Sequence, residues 1–255
     1  MTILATILIL ALGLTSGLLI GCVGIGGVIL VPALVYFAGV PIRVGIPAAM
    51  AAYLLSGAVA TTIFARRKSI HWGMAIWICA SATPTAFAGA WAVSIVNPRI
   101  LETTLGLLTF LSGLISLKML RIEDLAVPTV RPPHHRTLLV VGALTGFLSS
   151  VSGTGGPLVL VPILISIAVP VLTAVVLSQV IQLPVAVAAT IGNILYGQID
   201  LVLAGLLALS LTAGSWYGAK LAHIVPRTTL RRIVSVVLLV VGIFILGNVA
   251  WRLFY

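Results

Sequence analysis

The stretch G-L-L-I-G-C-V-G-I-G-G at residues 17–27 returns 129 residues later as G-F-L-S-S-V-S-G-T-G-G at 146–156. Each copy ends in a glycine cluster, Gly24-Ile25-Gly26-Gly27 in the first and Ser152-Gly153-Thr154-Gly155-Gly156 in the second. An L-V-P triplet follows both, ending at Pro32 and Pro162. The same offset sets Ile70-His71 on Ile199-Asp200, Gly89-Ala90 on Gly218-Ala219 and Gly113 on Gly242. A chance likeness between Leu- and Ala-rich helices would not keep glycine and proline positions aligned over separate segments, so the chain reads as a duplication.

Composition fixes the medium in which the two copies fold. Of 255 residues, 61% are hydrophobic and 7% charged, where a soluble domain carries roughly 25% charged residues to hydrate its surface. A disordered chain, a nucleic-acid binder and a disulfide scaffold are excluded together, because each needs a polar, charged or Cys-rich surface. Cys22 and Cys79 stand alone in apolar surroundings and match no metal or redox spacing, and no cofactor is implied. The start, M-T-I-L-A-T-I-L-I-L, has no basic region or A-x-A cleavage site and is read as part of the fold.

Apolar runs cover 3–22, 28–38, 44–65, 72–95 and 101–119, then 138–150, 157–169, 172–195, 201–222 and 230–250. A helix needs about 20 residues to cross the hydrocarbon core, so 28–38, 138–150 and 157–169 are too short to cross alone. Residues 120–137 carry charges, three prolines and two histidines, and form a linker between a first transmembrane repeat (1–119) and a second (138–255). If each glycine-centred segment dips into the membrane and returns, each half makes three full crossings and the second half enters inverted. One face then holds 11 of the 14 Lys and Arg residues and the other only Arg43, Arg99 and Arg252. A single crossing in place of each dip gives 8 against 6, so the bias of basic residues toward cytoplasmic loops favours inversion, with both termini outside. The expected fold is an all-α integral membrane protein of two inverted repeats, each a broken or re-entrant helix pair plus three transmembrane helices.

Backbone that leaves the helix at membrane depth has amides that lipid cannot satisfy, so it faces protein or a wet cavity. New helices start after the breaks, near Val28 and at Pro157, a residue suited to the first helical position. Two helix N-termini aimed at one region offer free N–H groups and roughly half a positive charge each, which is an anion site without a charged side chain. The candidate substrate-binding residues are Gly24, Gly26, Gly27, Ser152, Gly153, Thr154, Gly155 and Gly156, joined by Gln179 and Gln182 on the run 172–195. The offset sets Met50 and Tyr53 opposite the two glutamines, and Tyr53 completes the set. The competing readings are close helix packing for the glycines and interhelical hydrogen bonds for the glutamines. Glu102, Glu123, Asp124 and Asp200 fall in loops or at span ends, so no proton relay is visible within the spans. An intramembrane serine protease built on Ser152 and His223 is disfavoured by the missing G-x-S-x-G elbow, and no enzyme is expected.

The duplicated G-x-G-G break with its L-V-P triplet, the loop R-R-K-S-I-H-W at 66–72 and the segment G-S-W-Y-G-A-K-L-A at 214–222 resemble the TauE/SafE family of sulfite exporters, also called the toluene sulfonate uptake permease family. The resemblance covers almost the whole chain. It implies a multi-pass carrier of the prokaryotic inner (cytoplasmic) membrane that moves a small anion such as sulfite, sulfoacetate or another organosulfonate, usually outward. Its partners are then that anion and the lipid bilayer, with no nucleic acid and an oligomeric state left open. A proton-coupled importer or a channel for a small organic or inorganic anion is the alternative.

Overall fold

A computed structural model describes residues 3–23, 27–120, 133–221 and 227–254. Gly24 and Gly26 of the first break, most of the linker, and His223 lie outside them. Among the described residues there are ten helices: α1 (Ile3–Val23), α2 (Gly27–Tyr36), α3 (Ile42–Arg66), α4 (Trp72–Ile95), α5 (Pro98–Leu120), α6 (His135–Ser152), α7 (Pro157–Ser166), α8 (Val171–Tyr196), α9 (Leu201–Leu221) and α10 (Arg227–Phe254). No strand occurs among the described residues.

Seven of these helices, α1, α3, α4, α5, α8, α9 and α10, are long and apolar enough to cross a membrane, and α2 and α7 have 10 residues each. The run expected at 138–150 is a longer helix, because His134 caps it: its imidazole accepts a hydrogen bond from the Arg136 amide at 3.4 Å, so α6 starts at His135. Large apolar side chains point outward along the spans, Leu209 being 67% exposed and Val240 61%. An apolar surface this broad requires lipid as its solvent.

With lipid outside, burial of apolar area gives helices little reason to associate, and small residues that let backbones close on each other set the pairing. Gly17 lies on the Leu211 carbonyl and 3.0 Å separates the Cβ position of Gly17 from the Gly214 Cα, leaving no room for a side chain. Gly13 faces Ser210 and Leu18 faces Gly218, so α1 and α9 run side by side in the same direction. Gly142 against Ile78, Gly146 against Ala82 and Ser150 against Gly89 give α6 and α4 the same parallel arrangement. In contrast, Gly106 meets Ile245, Gly113 meets Leu239 and Phe110 meets Gly242, so α5 and α10 run oppositely. Ser235 donates to Ser116 at 2.6 Å along that seam.

Exchanging α1–α5 for α6–α10 maps the main helix pairs onto one another. The pair α1·α9 becomes α6·α4, α4·α8 becomes α9·α3, and α3·α8 and α5·α10 map onto themselves. Helices α3 and α8 form the centre: Ile46, Met50 and Tyr53 of the one and Leu177 and Ile181 of the other are almost fully buried.

Candidate functional site

The second break starts where α6 ends. Gly153 takes the left-handed conformation, φ 67°, and its amide bonds the Ser149 carbonyl; the Thr154 amide reaches the same oxygen at 3.1 Å. Gly155 at φ 75° and Gly156 at φ 123° carry the chain around a turn that L side chains rarely adopt. Pro157 then occupies the first turn of α7, and the Gly156 carbonyl accepts from Val159 and Leu160 at 3.2 and 3.1 Å. The first-turn amides of α7 are left over by the geometry of any helix start.

The first break reaches the same place from the other half of the chain. A methyl group at Gly27 would lie 2.8 Å from Tyr53 Oη and 3.3 Å from the Thr154 carbonyl oxygen. Tyr53, in the middle of α3 and fully buried, donates its hydroxyl to the Gly27 carbonyl at 2.8 Å. Its ring also covers Gly155, whose added Cβ would be 3.0 Å from Tyr53 Cδ2. One phenol therefore holds the start of α2 and the turn before α7 together. Helix α8 closes the remaining side, since Gly156 faces Ile181 and the Ser178 carbonyl.

The polar lining is neutral. Ser152 Oγ donates to the Leu148 carbonyl at 2.7 Å and sits 2.9 Å from Thr154 Oγ1, and both side chains are buried. Gln182 Nε2 donates to Ser56 Oγ at 3.2 Å, and Gln179 is buried. No charged side chain is buried among the described residues. Amides, hydroxyls and helix starts, each start equivalent to roughly half a positive charge, are groups able to hold an anion without a charged side chain.

The structure thus brings together Gly27, Tyr53, Thr154, Gly155 and Gly156, with Ser152 bonded to Thr154 and Gly153 packed on Val31 and Ile46. Gln182 meets Ser56, whereas the repeat offset sets Tyr53 opposite it. Ser56 lies three residues beyond Tyr53, hence on the same helix face, and that spacing is the signal that points to it. Asp200 serves the fold, since its carboxylate accepts the Leu203 amide at 2.9 Å and caps α9. His71 lines a separate surface cavity of about 580 Å³ with Ile70, Trp72, Trp77, His135 and Leu138, at the end where α4 and α6 begin.

The profile of the family described as Sulfite exporter TauE/SafE matches residues 9–245. The chain is 25% identical to a probable membrane transporter protein of Methanocaldococcus jannaschii over 94% of each sequence. It is 22% identical to the probable membrane transporter protein YunE of Bacillus subtilis, over 92% of this chain and 95% of that one. With YdhB of the same organism, also a probable membrane transporter protein, identity is 23% over 90% and 96%. No solved structure matches the chain.

Proposed function

Because the chain belongs to the TauE/SafE sulfite exporter family of membrane transporters, we propose that it exports a small sulfur-containing anion, sulfite or an organosulfonate, across the cytoplasmic membrane by alternating access. The observation that carries this reading is the meeting of two glycine breaks, distant in sequence, at Tyr53 within a buried and uncharged polar centre. An anion held there accepts hydrogen bonds from the first-turn amides of α2 and α7, from the Thr154 hydroxyl, and from Gln179 and Gln182, while Ser152, whose proton goes to the Leu148 carbonyl, positions Thr154.

Inverted repeats suit such a cycle, since a site on their shared axis opens to one face by the motion that closes it to the other. The opposite run of α5 and α10, with the parallel pairs α1·α9 and α4·α6, supports that arrangement. The face with most of the basic residues is then cytoplasmic. An inside-negative potential drives an anion outward by about 2.3 kcal/mol per charge per 100 mV, roughly a 50-fold gradient, so export needs no coupling ion.

Flux of sulfite or sulfoacetate in proteoliposomes, with voltage set by a potassium gradient and valinomycin, tests the proposal. Saturable flux that accelerates when the substrate side is made negative is the expected result. Absence of flux with both anions, or flux indifferent to voltage, overturns it.

A further inference from the structure

Among the buried side chains whose hydrogen-bonding atoms find no partner in the described residues, Asn193, Ser149 and Ser150 fall at one level of the bundle. Asn193 is 1% exposed, and neither its amide nitrogen nor its oxygen is bonded; the hydroxyls of Ser149 and Ser150, both fully buried, are also unpaired. A carboxamide with nothing to bond inside an apolar bundle is costly, and polar residues held at such cost in a membrane protein mark substrate or ion pathways. Helical hydroxyls usually answer the problem locally, as Ser152 does by donating to Leu148. Ser149 and Ser150 do not, and a carboxamide such as Asn193 has both a donor and an acceptor to satisfy.

Helix α4 places the three at one level. Ser150 packs on Gly89, while Gly192, next to Asn193, packs on Ala90 and Phe87. Ser149 and Ser150 form the last turn of α6 before the break that holds Ser152 and Thr154. Asn193 lies beyond Gln179 and Gln182 near the end of α8, where the Tyr196 ring meets Phe87 at 5.9 Å. Helix α4 ends close by at Ile95, and the carbonyl of the next residue, Val96, accepts from Arg43, one of the three basic residues on the face that the charge bias assigns to the outside. The counterparts of these three at the 129-residue offset are Ile20, Gly21 and Phe64, none of which has a polar side chain.

We propose that Ser149, Ser150 and Asn193 line the outward half of the anion's route, resting on the transport reading above. In the structure the three side chains are buried and unpaired. When α4 parts from α6 and α8, water and the departing oxyanion supply the missing bonds, with the Asn193 amide and the serine hydroxyls donating to sulfite or sulfonate oxygens. The cytoplasmic counterpart, with Ile20, Gly21 and Phe64, provides no such donors.

Single cysteines placed at 193 (Asn193→Cys) and, for comparison, at 64 (Phe64→Cys) in a Cys22→Ala/Cys79→Ala background test the route with a membrane-impermeant maleimide. Modification of Asn193→Cys from the outer face, at least tenfold faster than Phe64→Cys from that face and slowed by sulfoacetate, is expected. Asn193→Leu, which removes the unpaired groups, is expected to melt at the same or a higher temperature while sulfoacetate flux falls tenfold or more. Asn193→Cys that stays unmodified from both faces during turnover, or Asn193→Leu that transports at the parental rate, overturns the route. Outer-face labelling without sulfonate flux in the parent protein overturns the assigned substrate and leaves the route standing.

Discussion

The two glycine breaks occupy equivalent places in the repeat but differ in chemistry. The second is surrounded by Ser149, Ser150, Ser152 and Thr154, all buried, and reverses through three glycines with positive φ. The first has Cys22 as its nearby polar side chain, and that thiol is engaged with the Gly218 carbonyl at 3.1 Å. If both breaks hold the anion as proposed, the side-chain contacts come mainly from the second copy.

Breaking the turn of the second copy should have the largest effect. Gly155→Val forces a β-branched residue to φ 75° and drives its Cβ onto the Tyr53 ring, at a strain of about 1–3 kcal/mol. A displacement of about 1 Å at the site is enough for roughly a 100-fold loss of flux, which a transport assay on folded, monodisperse protein checks. Tyr53→Phe comes next, because it removes the bond that joins the halves and leaves the buried Gly27 carbonyl without that donor. The expected cost is about 1–3 kcal/mol, read as a lower melting temperature together with slower transport. An unchanged melting temperature would mean that Tyr53 does not clamp the breaks.

Side-chain donors sharpen the asymmetry directly. Thr154→Val keeps shape and deletes the hydroxyl, so the half-saturating concentration of sulfoacetate should rise about fivefold to tenfold for the loss of one hydrogen bond of about 1–1.5 kcal/mol. Cys22→Ser should change it by less than about twofold, in line with the small effect of most substitutions away from a critical contact. Equal and opposite effects from these two variants would show that both breaks carry recognition and would discard the asymmetric reading.

Much of the centre is legible in the order of residues. The positions of Gly27 and Pro157 at helix starts, and of Gly153 at a helix end, follow from the conformations that glycine and proline permit. The spans follow from apolar length, but α6 starts three residues before its apolar run because the His134 cap is polar and interrupts that run. Alignment of the repeats points to Tyr53, but as a neighbour of Gln182; the structure gives it Gly27 and Gly155 instead and gives Gln182 to Ser56. Register between α3 and α8 is set by how their surfaces interlock, to which an offset along the chain is blind.

The sequence by itself determined the medium, the duplication, and the places where helices must stop and restart, because those properties are local: residue polarity, backbone freedom and the length of apolar runs. Only the tertiary structure decided that the two breaks touch, that one phenol joins them, and that Asn193, Ser149 and Ser150 are buried without partners among the described residues. Whether a polar atom is satisfied depends on what distant segments bring to within about 3 Å of it, which no single stretch of chain specifies.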